Sequence, residues 1–268
     1  MTAKRQDNTQ NKPEVLVVIP TLGKRSNYLR LTLESIANQA SGLYDIVMVA
    51  PLSSKETAKL AKEFGASQVD DPGGMSAAVN AGIATAKPWH KYISWIGDDD
   101  LLTPSSLATA VAALKSHPAA AVAFGYCDYI DANGQHLFTS RAGRIAPWLM
   151  TWGPDLVPMP GLLMRLSSLR EVGEFDTNNK YCMDLEMLLR LRKHGKFVST
   201  GKTLAAFRWH SNSQTVLNRD LVLRETMQVK HRNLSKPLRI IAPLWDGPVW
   251  LATRLAVRYV DFKAKAIH

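Results

Sequence analysis

Residues 91–100 read Lys-Tyr-Ile-Ser-Trp-Ile-Gly-Asp-Asp-Asp. Lys91–Ile96 has the length and apolar character of a buried strand, and it stops abruptly at Gly97 and three adjacent carboxylates. Asp98, Asp99 and Asp100 repel one another, so the triplet is unfavourable unless a cation neutralises it. In an open parallel sheet a ligand sits outside the carboxyl ends of the strands, and the triplet falls at such an end. Mg²⁺ and Mn²⁺ take oxygen ligands and commonly bridge one or two carboxylates to a substrate diphosphate. A solvated acidic turn, or a cap for the helix that follows at Pro104, would give the same letters.

Outward from this point, strand and helix patterns alternate at short spacing. Val15–Pro20 and Asp45–Ala50 are continuous β-branched runs, as expected of strands buried on both faces. Helical periodicity covers about Tyr28–Ala40, Lys55–Phe64 (closed by Gly65), Met75–Ala86 and Pro104–His117, with Thr103 as expected N-cap. Ser67–Asp70 reads as a brief strand. The alternation predicts βαβ units on a parallel sheet, an α/β fold with a Rossmann-like first half. Further on, Ala121–Ile130 and the residues after Gly134 form a hairpin pattern, and a Pro- and Trp-rich loop spans 146–161. A helix runs over about Met183–His194, extended segments lead to His210, and the end is helical from about Leu217 to Ser235 and again from Pro248.

The chain has 268 residues, 46% of them hydrophobic, enough for one sizeable core plus an appendage. No repeat or low-complexity tract points to a solenoid or to disorder. Two cysteines, Cys127 and Cys182, make neither a disulfide framework nor a CxxC spacing, which fits a reducing compartment. The polar start and the lack of a long apolar run predict a cytoplasmic protein without signal or spanning segment. The net charge of +10 is uneven: residues 230–268 hold eight Lys or Arg against two Asp. A basic tail points to an anionic surface, or is merely a solvated helix face.

Three more stretches carry chemistry. Asp71-Pro-Gly-Gly74-Met-Ser-Ala-Ala-Val-Asn80-Ala-Gly82 puts glycines before a helix start, where backbone approaches a ligand and the helix N-terminus favours phosphate; a tight turn before a crowded helix gives the same pattern. Cys182-Met-Asp184 places a carboxylate at the opening of an amphipathic helix, where a plain dipole partner is also common. Arg208-Trp-His210 lies in a polar segment, and a histidine there is often only a surface residue.

In this order the four features resemble the family-2 glycosyltransferases of GT-A fold, from about Val15 to Ser213. In that family the first strand ends in a phrase like Ile19-Pro20-Thr21-Leu22-Gly23-Lys24-Arg25 here. A glycine-rich segment is matched by Gly73, Gly74, Ala78, Asn80 and Gly82, and an Asp-rich metal motif by Asp98–Asp100. A Glu-Asp pair opening a later helix is matched by Met183 and Asp184, and an Arg-x-His-x-x-Ser phrase by Arg208, His210 and Ser213. The chain departs from the pattern where an acidic phrase usually follows the second strand: it has Ala50-Pro-Leu-Ser-Ser54, leaving Asp70 or Asp71 to read the base. The family's DxDD, laid on 97–100, puts Gly97 at its first Asp.

The resemblance implies a GT-A-type Rossmann-like mixed sheet flanked by helices, with a helical C-terminal extension. It implies an inverting transfer from a UDP-, dTDP- or GDP-sugar to an acceptor glycan or lipid-linked glycan, as in polysaccharide, glycolipid or cell-wall assembly. Asp184 would be the base. Pro20, Thr21, Gly23, Arg25, Asp71, Gly74, Asn80, Asp98, Asp99 and Arg208 would contact the donor. Asp100, Asp99 and His210 would hold Mg²⁺ or Mn²⁺; the register that pairs Asp98 with Asp100 stays open. Residues 1–13 are expected as a flexible start, 14–117 as the donor half and 118–215 as the acceptor half of the catalytic domain, with 216–268 as a basic tail. In that tail Arg254, Arg258, Asp261 and Lys265 share one helix face and Val249, Ala252, Ala256 and Val260 another, near Trp245, Trp250 and Tyr259. Such a helix reads as an element on an anionic membrane surface at the inner face, or as a packing or homodimer element. A nucleic-acid partner is not expected. A metal-dependent nucleotidyltransferase, or a non-catalytic sugar- or nucleic-acid-binding module, are the rival functions.

Overall fold

A computed structural model describes residues 12–141, 143, 145–210 and 218–266. The expected flexible start, up to residue 11, and the Ser213 of the Arg-x-His-x-x-Ser phrase lie outside the described residues.

Four parallel strands form the first half in the order β3 (Ser67–Val69), β2 (Tyr44–Val49), β1 (Val15–Pro20), β4 (Tyr92–Trp95). β1 is apolar at every position because both its faces are covered. Val15, Val17 and Ile19 pack with Leu29, Leu33 and Ile36 of α1 (Ser26–Ala37), while Leu16 and Val18 pack with Ala78 and Val79 of α3 (Met75–Ala84). α2 (Lys55–Glu63) is capped by the Ser54 side chain, which accepts from Thr57 N at 3.3 Å. The small residues of α3 allow close approach: a Cβ on Gly82 would lie 2.3 Å from Cγ1 of Val18.

Beyond β4 the sheet becomes mixed. β8 (Leu163–Arg165) pairs antiparallel with β4 and with β6 (Ala120–Ile130), and β9 (Lys196–Arg208) runs parallel to β6. β5 (Leu101–Leu102) closes the far edge against β9, and β7 (His136–Ser140) forms the expected hairpin with β6. Asp131 makes that turn by accepting from Asn133 N and Gln135 N at 2.8 Å each. Pairing of β5 also moves a helix start. Thr103 donates N–H to Leu204 O and its hydroxyl to Thr203 O, so α4 begins at Ser106, not at Pro104.

The remaining helices are α5 (Ala146–Leu149), α6 (Leu166–Val172), α7 (Met183–His194), α8 (Arg219–Asn233), α9 (Lys236–Ile241) and α10 (Pro243–Ala266). α8 docks on α7: Cys182 Sγ lies 3.0 Å from Thr226 Oγ1 and Lys193 Nζ donates to Asn233 Oδ1 at 2.8 Å. α10 runs through Pro248 instead of starting there. Among the described residues no helix is long and apolar enough to cross a membrane. Cys127 and Cys182 are buried, and neither is in a disulfide.

Candidate active site

Three chain segments converge at one end of the sheet: the turn after β1, the turn after β4, and the end of β9. Thr21 leaves β1 with its N–H on Val49 O and donates its hydroxyl to Asp98 Oδ2 at 2.5 Å. The same hydroxyl oxygen accepts from Gly23 N at 3.0 Å. Gly23 has φ +71°, and a Cβ there would lie 2.7 Å from Thr57 Cγ2, so both conformation and space require glycine. The turn delivers Arg25 to the aspartates. Its guanidinium pairs with Asp98 Oδ1 through Nη2, and with Asp99 Oδ2 through Nη1 at 2.6 Å. His210 Nε2 lies 2.9 Å from that same Asp99 oxygen and 3.3 Å from Arg25 Nη1. Burial holds the Asp98 carboxyl above its usual range despite the Thr21 hydroxyl and the Arg25 charge.

Asp100, expected as a metal ligand, is turned another way. Its Oδ1 accepts from Arg208 N at 3.0 Å and its backbone oxygen accepts from Thr32 Oγ1 at 2.8 Å. The carboxyl is buried and raised well above the ordinary range by burial and by the charge of Asp99. Asp99, not Asp100, is therefore the aspartate the structure brings to His210.

Two other expected donor contacts, Arg208 and Asn80, are hydrogen-bonded within the protein. Arg208 is buried; Nε donates to Asp99 O at 3.0 Å, Nη1 to Asp131 O and Ala132 O at 3.2 Å each, and the guanidinium covers the Tyr28 ring at 4.6 Å. Asn80 exchanges two 2.9 Å hydrogen bonds with the Phe175 backbone, so its amide ties α3 to the approach of α7. In both, backbone groups from distant segments take up the polar atoms. Asp71 accepts from Gly73 N at 3.0 Å within its own turn. Gly74 is the N-cap of α3, with φ 89° and open space where a Cβ would be. Pro20 ends β1, directly before Thr21.

Asp184 stands in a second group at the start of α7. Ser76, in the first turn of α3, lies 3.3 Å from Met183 Sδ and donates to Asn179 O at 3.3 Å, so the glycine turn adjoins this helix start. Asp184 Oδ1 accepts from Leu185 N at 2.8 Å. The residue keeps partial exposure while protein atoms enclose its carboxyl, and burial, then the Glu225 charge, raise it above the usual range. Asp155, from the loop after α5, is pushed up to about 7 by crowding and by the Asp184 charge, although much of the residue faces solvent. Lys230 of α8 is buried alongside, donating to Gly153 O. Glu225, Lys230, Asp155 and Tyr28 were not singled out from the sequence. Their one available signal was charge or aromaticity on otherwise polar segments.

A divalent cation suits this chemistry. Asp99 Oδ2 and His210 Nε2 are two donors within 2.9 Å, and one guanidinium already balances the adjacent carboxylates. Among the described residues no group of three or more His, Cys, Asp or Glu side chains is placed to hold a metal ion by itself.

The family model for glycosyl transferase family 2 matches residues 16–168. An uncharacterized glycosyltransferase of Rickettsia bellii is 25% identical over 211 residues, 74% of this chain and 30% of that protein. The O-antigen biosynthesis protein RfbC of Myxococcus xanthus is 23% identical over 194 residues, 67% of this chain and 14% of that protein. The chain thus spans less than a third of either relative. The fold is similar to that of the mannosyltransferase PcManGT from Pyrobaculum calidifontis, solved with GDP-Man and Mn²⁺. The TM-score is 0.66 at 16% identity, covering 95% of this chain and 75% of that one.

Proposed function

The chain belongs to glycosyl transferase family 2, and from that premise we propose that it moves a sugar from a nucleoside-diphosphate sugar to an acceptor hydroxyl with inversion. The observation that carries this reading is the convergence of Thr21, Arg25, Asp98, Asp99 and His210 at the ends of β1, β4 and β9. Carboxylates gathered around a cation at a sheet's ligand-binding end suit a diphosphate and its metal, and would repel a bare phosphate.

Asp99 and His210 would hold Mg²⁺ or Mn²⁺, which when bound neutralises charge growing on the departing diphosphate. Arg25 is free to turn from the aspartates to the diphosphate, since a third of its side chain is exposed. Asp98 is held by Thr21 and fixes the β1 turn along which the nucleotide would lie. Asp184 would accept the proton of the attacking hydroxyl. Its raised carboxyl suits a base working near neutral pH better than an ordinary aspartate does. The acceptor would be a glycan or lipid-linked glycan of polysaccharide assembly, a reading supported by the likeness to RfbC.

Thermal shift with UDP-, dTDP- and GDP-sugars in the presence of Mn²⁺ tests this. A true donor stabilises the folded chain by linkage, about 2.7 kcal/mol at a hundred times its Kd. Asp184→Asn should bind that donor normally and lower turnover by about 10²–10⁴-fold. If no nucleotide sugar shifts the melting temperature, the reading fails; if Asp184→Asn transfers at full rate, the assignment of the base fails.

A further inference from the structure

α10 has two apolar faces; of the one expected from the sequence, Val260 is buried, while Ala252 and Ala256 are exposed. Val257 and Val260 pack on Leu137, Phe138 and Trp209, and Val260 is only 7% exposed. On the opposite side Leu244, Leu251, Leu255, Tyr259 and Phe262 follow one another at steps of seven, four, four and three residues, a single stripe along the helix. They are 78%, 53%, 54%, 54% and 69% exposed. α9 extends this edge with Leu238 and with Ile240, itself 79% exposed. A soluble surface scatters such residues singly; a continuous apolar stripe marks an interaction site.

We infer that this outer face of α9 and α10 lies flat on an anionic lipid surface. Cations flank the stripe on both sides. Arg254 and Arg258 lie on one side, with the Arg254 guanidinium 4.5 Å over the Trp250 ring, and Lys263 lies on the other with Nζ 5.5 Å from the Tyr259 ring centre. Lys236 and Arg239 of α9 are exposed as well. The acid Asp246 is engaged by His231 at 2.9 Å. Arg254 also lies 4.0 Å from Asp220, an exposed pair that headgroups can replace; aliphatic stems and aromatic rings beside an apolar stripe, with charged ends at the surface, are what a helix in the interfacial plane requires. From Leu244 to Phe262 the stripe is about 27 Å long at helical rise.

A second copy of the chain fits less well. A heptad-type repeat laid along the stripe falls on Leu244, Pro248, Leu251, Leu255, Arg258 and Phe262, and so sets Pro248 and Arg258 in the seam, where a coiled coil needs apolar knobs.

The test is co-sedimentation of the whole chain with vesicles of phosphatidylcholine and phosphatidylglycerol, against phosphatidylcholine alone, at low and high salt. The protein should partition at least tenfold more onto the anionic vesicles, and high salt should remove most of that difference. The double variant Leu251→Glu with Leu255→Glu changes only exposed positions, so its melting temperature should stay at the wild-type value while partitioning falls about tenfold or more. Arg254→Gln with Arg258→Gln leaves the apolar stripe intact and should weaken only the salt-sensitive part, which keeps the test decisive if the glutamate pair impairs folding. The inference is overturned if the wild-type chain stays in the supernatant, or if both variants pellet as it does. It is equally overturned if sedimentation velocity shows a dimer that the glutamate pair dissociates while lipid is ignored. Donor-dependent thermal shift should be the same in all of these proteins, so this result stands apart from the transferase reading.

Discussion

Glu225 of α8 accepts the N–H of Cys182 at 2.8 Å, and the same Oε1 accepts that of Tyr181 at 2.8 Å. Its other oxygen takes Lys180 N at 3.2 Å. The donors are the backbone groups just before α7, which an α-helix leaves without partners of its own. A residue forty positions downstream therefore satisfies the helix start that presents Asp184. The C-terminal segment is tied to the candidate base by this carboxylate.

Glu225→Ala should cost about 1–3 kcal/mol in denaturant unfolding, because the N–H groups lose their acceptor in a half-buried place. Glu225→Gln keeps Oε1 as acceptor for Tyr181 and Cys182 and should recover most of that loss. Turnover should follow the same order, with donor KM unchanged. If alanine leaves both stability and turnover at wild-type values, the contact is incidental.

Arg25 is the cation that the aspartates now share. Arg25→Ala should let Mn²⁺ bind the donor-free protein more tightly, roughly three- to tenfold given partial solvent screening. The same change should weaken donor binding in saturating Mn²⁺, since the diphosphate loses a positive partner. Calorimetry of each binding step reads the two opposite signs. Weaker Mn²⁺ binding by the free variant would mean that Arg25 organises the carboxylates instead of competing for them.

Asp155 gives a pH signature. Its folded carboxyl is pushed up to about 7, above the ordinary aspartate value of about 4. Between those values the native state binds more protons than the unfolded one, so this group lowers stability as pH rises from about 4 to 7. Melting temperature followed across that range should fall less steeply in Asp155→Asn than in the wild type. Parallel curves would place this carboxyl in ordinary solvation, in line with the exposed surface of the residue.

Much of the frame was legible because burial on both faces leaves a plain mark. Strands such as Val15–Pro20 cannot be apolar at every position for any other common reason, and the turn after Ile96 had to carry Asp98–Asp100 at the sheet's ligand-binding end. Other parts were not legible. Arg208 and Asn80 were read as donor contacts from the resemblance, and their hydrogen bonds to backbone groups of Asp99, Asp131, Ala132 and Phe175 join segments that only the folded chain brings near. The outer stripe of α10 was missed because the Val249–Val260 face competes with it at the same helical period, and periodicity alone does not say which face meets the core.

Asp99 and Asp100, as alternative metal ligands, predict opposite phenotypes. Asp99 shares an oxygen with Arg25 and His210 in the half-open turn, whereas Asp100 is buried with Oδ1 on Arg208 N. Asp99→Asn should therefore fold normally and lose metal-dependent donor binding by more than the roughly 10–100-fold that an outer-shell change costs. Asp100→Ala leaves a buried N–H without its acceptor and should cost about 1–3 kcal/mol of stability, with donor affinity per folded molecule retained. Asp100→Asn restores an acceptor while removing a carboxylate that repels Asp99, so it should recover stability and keep Mn²⁺-dependent binding. The pairing of loss of binding with Asp99, and loss of stability with Asp100→Ala, is what this geometry requires. Should Asp100→Asn instead fold well and fail to bind donor in Mn²⁺ calorimetry, Asp100 would be the metal ligand, and its contact with Arg208 N would have to open when the metal binds.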